Sequence, residues 1–129
     1  MVQYTLNTAK EGFYNITDEV KAAVRKSGIT DGMCLVYCPH TSAGITINES
    51  ADPDVVKDLL FALNKTYPDR AEFRHSEGNS AAHLKSSIIG CSVTIPVENC
   101  KLVFGTWQAV YFTEFDGPRV RKFYVKVIG

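Results

Sequence analysis

Apolar and polar residues alternate at the start of the chain. Val2, Tyr4 and Leu6 fall on every second position, which predicts a half-buried strand over residues 2–9. After Gly12, the stretch Asn15-Ile16-Thr17-Asp18-Glu19 reads as a helix start, with acids in the first turn where they suit the helix dipole. Ile16, Val20, Ala23 and Val24 give that helix one apolar face, and Gly28 ends it. Residues 32–38 form a compact apolar run that Pro39 breaks, and Thr41 to Asn48 resumes with Ile45 and Ile47. The pattern predicts two strands, or one interrupted strand, with His40 at the break. Asp52-Pro53 is a helix opening, a cap acid followed by proline at the first helical position. Val55, Val56, Leu59, Leu60 and Leu63 form a broad apolar stripe along it, and Pro68 stops it.

Asp69 to Gly78 is polar and reads as a loop. Asn79 or Ser80 then caps a short helix that carries His83, Leu84, Ile88 and Ile89 and ends at Gly90. The remainder is strand: Cys91 to Val97, a turn at Glu98-Asn99, Lys101 to Phe104, Trp107 to Phe115, a turn at Asp116-Gly117-Pro118, and Arg119 to Ile128. In the last strand Val120, Phe123, Val125 and Val127 are assigned to the buried face, with Arg121, Lys122 and Lys126 largely opposite. About seven strands and about three helices in mixed order predict the α+β class, a single compact domain over residues 1–129 with helices on a mixed or antiparallel sheet.

Composition changes this picture little. Lys and Arg total 14 and so do Asp and Glu, so the chain gives no overall electrostatic reason to bind nucleic acid or an anionic membrane. No apolar run is long enough to cross a bilayer, and Met1-Val2-Gln3-Tyr4-Thr5 lacks a signal-peptide pattern, so the expected location is the cytoplasm. Cys34, Cys38, Cys91 and Cys100 show no C-x-x-C spacing, and in that compartment they read as buried free thiols.

The candidate chemistry lies where elements end. His40 falls in Pro39-His40-Thr41-Ser42-Ala43-Gly44, while His75 and His83 flank the start of the short helix. Three imidazoles leave an open position on a metal, and nitrogen donors favour zinc or a similar ion over magnesium. A loop folding back on its own helix would bring His75 and His83 to one ion. Glu49 and Glu114 sit at strand ends and are candidate catalytic bases. Asp52 reads as a helix cap and Asp116 as a turn residue. The helix start at Asn79-Ser80, with Thr41 and Ser42, supplies candidate phosphate-binding donors; Arg119 is a further candidate, though from the residues alone it reads rather as an exposed turn arginine. There is no Walker motif, no GxGxxG and no GxSxG elbow, and nothing marks Ser42 as a nucleophile.

The ordered blocks Pro39 to Gly44 with Thr46-Ile47-Asn48-Glu49, Asp52-Pro53-Asp54-Val55, His75 with Asn79 to Lys85, Val93 to Val97, Gly105-Thr106-Trp107-Gln108 and Glu114 to Arg119 resemble the YjbQ-like family, also named secondary thiamine-phosphate synthase. The resemblance runs from about residue 3 to the C-terminus. It departs from some members in its short spacer Ser76-Glu77-Gly78, which is longer and more acidic there. It implies a homotrimer with a polar pocket at a subunit boundary, built around His40, His75 and His83 with a metal, and it places Glu114, Asn79 and Arg119 in that pocket. The implied activity joins a pyrimidine methyl diphosphate to a thiazole phosphate, giving thiamine phosphate and diphosphate. Diphosphate chemistry points to magnesium, whereas three histidines point to zinc. A metal-dependent hydrolase of a small phosphorylated substrate, or a non-enzymatic trimer that binds a metal or small ligand, are the alternatives.

Overall fold

The strands sort into two antiparallel sheets because the chain changes sheet at short polar connections. The computed structural model describes all residues, 1–129. In chain order they form β1 (Val2–Asn7), β2 (Gly12–Asn15), α1 (Thr17–Ser27), β3 (Asp31–Tyr37), β4 (Ala43–Glu49), α2 (Pro53–Thr66), α3 (Ser80–Ile89), β5 (Ser92–Glu98), β6 (Lys101–Leu102), β7 (Gln108–Glu114) and β8 (Val120–Ile128). One sheet runs β1-β8-β3-β5-β6 and the other β2-β7-β4. This is the expected α+β domain with three helices, and the sheets are wholly antiparallel.

The core lies where the two sheets and α1 face each other. Cys34 and Val36 of β3, Ile95 and Val97 of β5 and Phe123 and Val125 of β8 come from the larger sheet, and Ile45, Val110 and Phe112 from the smaller. Val20, Ala23 and Val24 of α1 close it, as the helical spacing predicts. Phe112 and Phe123 join the sheets with ring centroids 6.2 Å apart. Each such buried side chain contributes about 1.5–3 kcal/mol. α1 ends where Gly28 adopts a left-handed conformation, φ 67°.

Three details depart from the sequence reading. β2 was not anticipated: its four residues, Gly12–Asn15, lie between a glycine and a helix start, and pairing with β7 makes them a strand. The β5–β6 turn is Asn99-Cys100, one residue later than expected, since Glu98 and Lys101 pair directly. In β8 the inward set is Arg121, Phe123 and Val125, while Val120 is 66% exposed. The hydrophobicity of Val120 misled the phase; a buried partner for Arg121, described below, sets it.

α2 begins as expected, with the Asp52 carboxylate accepting from the Asp54 N–H at 2.9 Å and Pro53 in the first turn. None of its residues is buried, so its apolar stripe has no full partner within the subunit. It is tied down by Asn64, which accepts from Lys85 Nζ at 2.6 Å and donates to Glu11 at 3.0 Å. No helix is long and apolar enough to cross a membrane.

The crossings position the site. The β1–β2, β3–β4 and β7–β8 connections each carry the chain from one sheet to the other at the same end of the molecule. The pairs Asn7↔Val120, Gly12↔Glu114 and Ala43↔Glu114 mark that end. Close backbone contacts pin them: Thr8 N–H donates to Arg119 O at 2.9 Å and Gly117 N–H to Lys10 O at 2.7 Å. Glycine is required at 117, where a Cβ would lie 1.9 Å from the Ala9 carbonyl oxygen.

Candidate functional site

Beneath the three crossings lies a buried ion pair. Glu114 is fully enclosed and Arg121 is 4% exposed. Arg121 Nε donates to Glu114 Oε1 at 2.7 Å, and its Nη2 donates to Glu114 Oε2 and to Ser42 Oγ. Thr8 Oγ1 donates to Oε1 at 2.6 Å and the Asp116 N–H to Oε2 at 3.0 Å. The ion pair thus joins all three connections, Glu114 through Thr8 and Asp116 and Arg121 through Ser42. Burial pushes the Glu114 carboxyl up, but the hydrogen bonds from Arg121, Thr8 and Asp116 and the charge of Arg121 outweigh it and hold it below the usual value. Both oxygens are engaged and neither reaches solvent, so in this arrangement Glu114 is a positioning group rather than a base facing a substrate. Ser42, 5% exposed, likewise faces Arg121.

Above this foundation sits a more open polar cluster. Gly78, φ 79°, lets its N–H donate to His75 O at 3.1 Å, turning the loop back onto α3. The His75 and His83 rings then meet edge to face, centroids 5.4 Å apart. His83 Nδ1 lies 2.8 Å from Thr41 O. A carbonyl only accepts, so Nδ1 carries a proton, and in the neutral ring Nε2 is the nitrogen with the lone pair. Such a fixed tautomer suits a base or a metal ligand.

The β7–β8 turn faces the same helix. Asn79, at the start of α3, gives the helix no side-chain cap. Its Nδ2 donates to Asp116 Oδ2 at 2.8 Å and to Glu77 Oε2 at 3.2 Å. Its Oδ1 is buried without a partner. Arg119 Nη2 donates to the same Asp116 Oδ2 at 2.8 Å, its Nε donates to Asp116 O at 2.7 Å, and Glu77 lies 3.7 Å away. Burial raises the Asp116 carboxyl, but the hydrogen bonds from Asn79 and Arg119 outweigh it and keep it low. Asp116 is therefore more than a turn residue: it aims Arg119 while leaving that guanidinium partly open to solvent. The Gly117–Pro118 peptide beside it is cis.

The remaining candidates are placed differently. His40 is half-buried, and its Nε2 accepts the Lys122 N–H at 2.9 Å. Burial, then the charge of Arg121, lowers its pKa. Thr41 is exposed and holds His83 through its backbone carbonyl. Glu49 lies at the far end of β4 from Ala43, about 20 Å along the strand. There its backbone oxygen accepts from the Tyr111 hydroxyl at 2.9 Å. Within one subunit it cannot act on a substrate held at His83.

A metal was expected on three histidines. No three His, Cys, Asp or Glu side chains of the chain converge closely enough to hold an ion. His75 and His83 make a pair, two donors where a zinc site takes three or four. One subunit alone does not fit the expected metal. The residues missed by sequence reasoning are Arg121 and Thr8, with Asp116 underrated. The available signal for Arg121 was its phase, in step with Phe123 and Val125.

A sequence model described as UPF0047 protein YjbQ-like matches residues 2–129. The chain is 54% identical over 123 residues to the UPF0047 protein YugU of Bacillus subtilis strain 168, covering 95% of this chain and 93% of that one. It is 48% identical over 130 residues to a UPF0047 protein of Methanocaldococcus jannaschii, covering 100% of this chain and 94% of the relative. Among solved structures, a YjbQ/UPF0047 family protein from Clostridium acetobutylicum superposes with a TM-score of 0.97 at 55% identity, covering 99% of this chain and 100% of that one. A conserved hypothetical protein from Thermus thermophilus gives 0.92 at 45% identity, with coverage of 99% and 100%. With its whole length matched in sequence and in fold, this chain belongs to the UPF0047, YjbQ-like family.

Proposed function

We propose that the cluster of His75, His83, Asn79 and Arg119 binds a small phosphorylated substrate, and that the chain is a transferase of the thiamine-phosphate synthase type. The transferase type rests on the family resemblance; the observation that supports a binding site is the placement of His83. Its tautomer is fixed by Thr41 O and its Nε2 is left free against His75, on the same helix whose first residues link through Asp116 to Arg119.

In that reaction the thiazole nitrogen attacks the methylene carbon of the pyrimidine. A C–N bond forms, the C–O bond to the diphosphate breaks, and the electron pair leaves with the diphosphate. Negative charge therefore grows on the leaving oxygen. Arg119 is aimed to meet it, and α3 has no side chain across its N-terminus, so its free N–H groups and dipole act in the same direction. The imidazole pair supplies a proton donor for the departing diphosphate when one ring is protonated. A divalent ion belongs to the same reading, zinc by donor type or magnesium by substrate, but one subunit offers only two imidazoles.

Association into a homotrimer is part of the proposal. α2 has no buried residue, and Phe61, outside its apolar stripe, is 70% exposed, which supports association of copies. The number three rests on the family resemblance. The four free cysteines suit a reducing cytoplasm.

The test is product analysis by mass spectrometry after mixing the purified protein with both phosphorylated substrates. The expected result is one thiamine phosphate formed per diphosphate released. Release of phosphate or diphosphate with no coupled product would replace the transferase by a hydrolase. No consumption of either substrate would leave only a binding role.

A further inference from the structure

A cavity lies at the end of the larger sheet away from the histidine cluster. It measures about 540 Å³, within the range of small-molecule sites, and lies between α1 and the β5–β6 hairpin. β3 carries the chain about 20 Å from this end to the His40 connection, so the cavity is separate from the histidine cluster.

Its lining has one sign of charge. Lys21 and Arg25 stand one helical turn apart on α1, and Lys101 faces them from β6. Val24 and Leu102 form an apolar floor. None of the three cations makes an ion pair within the chain. The nearby acids Asp31 and Glu98 line a separate cleft that shares only Asn99 with this one, although Glu98 is the cross-strand partner of Lys101, and Asp18 shares with Lys21 a third cleft. In a chain of zero net charge, three unpaired cations around one hollow are a local feature rather than a general excess.

The hairpin turn is shaped to this hollow. Asn99 and Cys100 both have positive φ, 53° and 59°. Two-residue turns of this kind favour glycine at the second place, because a Cβ there is strained. Cysteine occupies it and forms part of the cavity wall, with its thiol 3.6 Å from Val24 O and its N–H donating to Thr30 O at 3.1 Å. Glycine would relax the turn but remove the wall.

We infer that this cleft binds a small phosphorylated molecule carrying at least two negative charges. Its charged group sits among Lys21, Arg25 and Lys101, and its body lies on Val24 and Leu102. The site stands independently of the transferase reading, because it shares no residue with the histidine cluster.

The test is a titration with inorganic pyrophosphate, followed by the backbone amide resonances of the full chain. Saturating shifts are expected at Asn99, Cys100 and Lys101. Replacing Lys21, Arg25 and Lys101 together by Gln should abolish them, with a loss of about tenfold in affinity per cation. These side chains are exposed, so the variant should fold. Arg119→Ala should leave these shifts unchanged. Cys100→Gly should fold at least as well as wild type and bind more weakly. Absent or non-saturating shifts, or shifts that persist in the triple variant, overturn the inference. If a single-stranded oligonucleotide binds through the three cations and pyrophosphate does not, the cleft is a nucleic-acid surface and the small-ligand assignment fails.

Discussion

Replacing Arg121 by methionine tests the foundation of the site. Methionine keeps much of the side-chain length and fills the space, so the change is mainly electrostatic. It removes donors to both Glu114 oxygens and to Ser42 Oγ, while Glu114 remains at zero exposure. Breaking a buried pair by removing one partner costs about 3–5 kcal/mol, a large share of the ~5–15 kcal/mol that holds an ordinary domain. The sign with pH is fixed. In the wild type the Glu114 carboxyl is held low, so its contribution is complete above the ordinary glutamate value and is lost as pH falls through the folded value. In the variant the opposing donors are gone, burial remains, and the carboxyl moves up. The difference in stability between the two proteins is then largest near neutrality and shrinks as pH falls. Urea unfolding followed by circular dichroism, at about pH 8 and about pH 5, measures it. A loss under about 1 kcal/mol, equal at both pH values, is what an exposed pair would give. That result would refute the account of Glu114 and Arg121. Arg121→Met with Glu114→Leu should recover most of the stability, since the lone buried charge is then gone.

Other consequences follow from the same geometry. His83→Ala should abolish coupling of the two substrates while leaving the urea midpoint within about 1 kcal/mol of wild type, because the ring is only part-buried. Arg119→Ala should weaken phosphorylated ligands about tenfold or more and neutral analogues hardly at all, read by calorimetry; equal loss for both would remove its anion role. Gly44→Ala should destabilise by about 1–3 kcal/mol, because the new Cβ would meet Gly90 O at 2.6 Å in a backbone contact that cannot yield freely. His40 should titrate below its usual 6.5 in a proton resonance experiment. Its neutral Nε2 accepts the Lys122 N–H, so the stability it contributes is present above that value and lost as pH falls.

Much of this fold could be read from the chain because local signals and tertiary needs agree. Asp52-Pro53 opens α2, Gly28 closes α1, and Pro39 separates β3 from β4. β2 was missed because four residues carry too little pattern and are fixed by β7. The site was legible in part. His75 and His83 meet because Gly78 permits the loop to fold back, and Asn79 and Arg119 meet through Asp116. Their sequence positions gave the location but not this connectivity. Glu114 was visible as a residue at a strand end, but its role depends on Arg121, seven residues away in β8 and assigned to the wrong face. Glu49 was grouped with the histidines because β4 begins near them, yet seven residues of extended chain carry it to the opposite end.

The most direct test of the central claim is a titration of the wild-type chain with thiazole phosphate, then with the pyrimidine methyl diphosphate, followed by the ring signals of His75 and His83 and the side-chain signal of Arg119. All three are expected to respond together and saturate at one concentration. Saturable binding that leaves these three groups unmoved, or no binding of either compound, would contradict it.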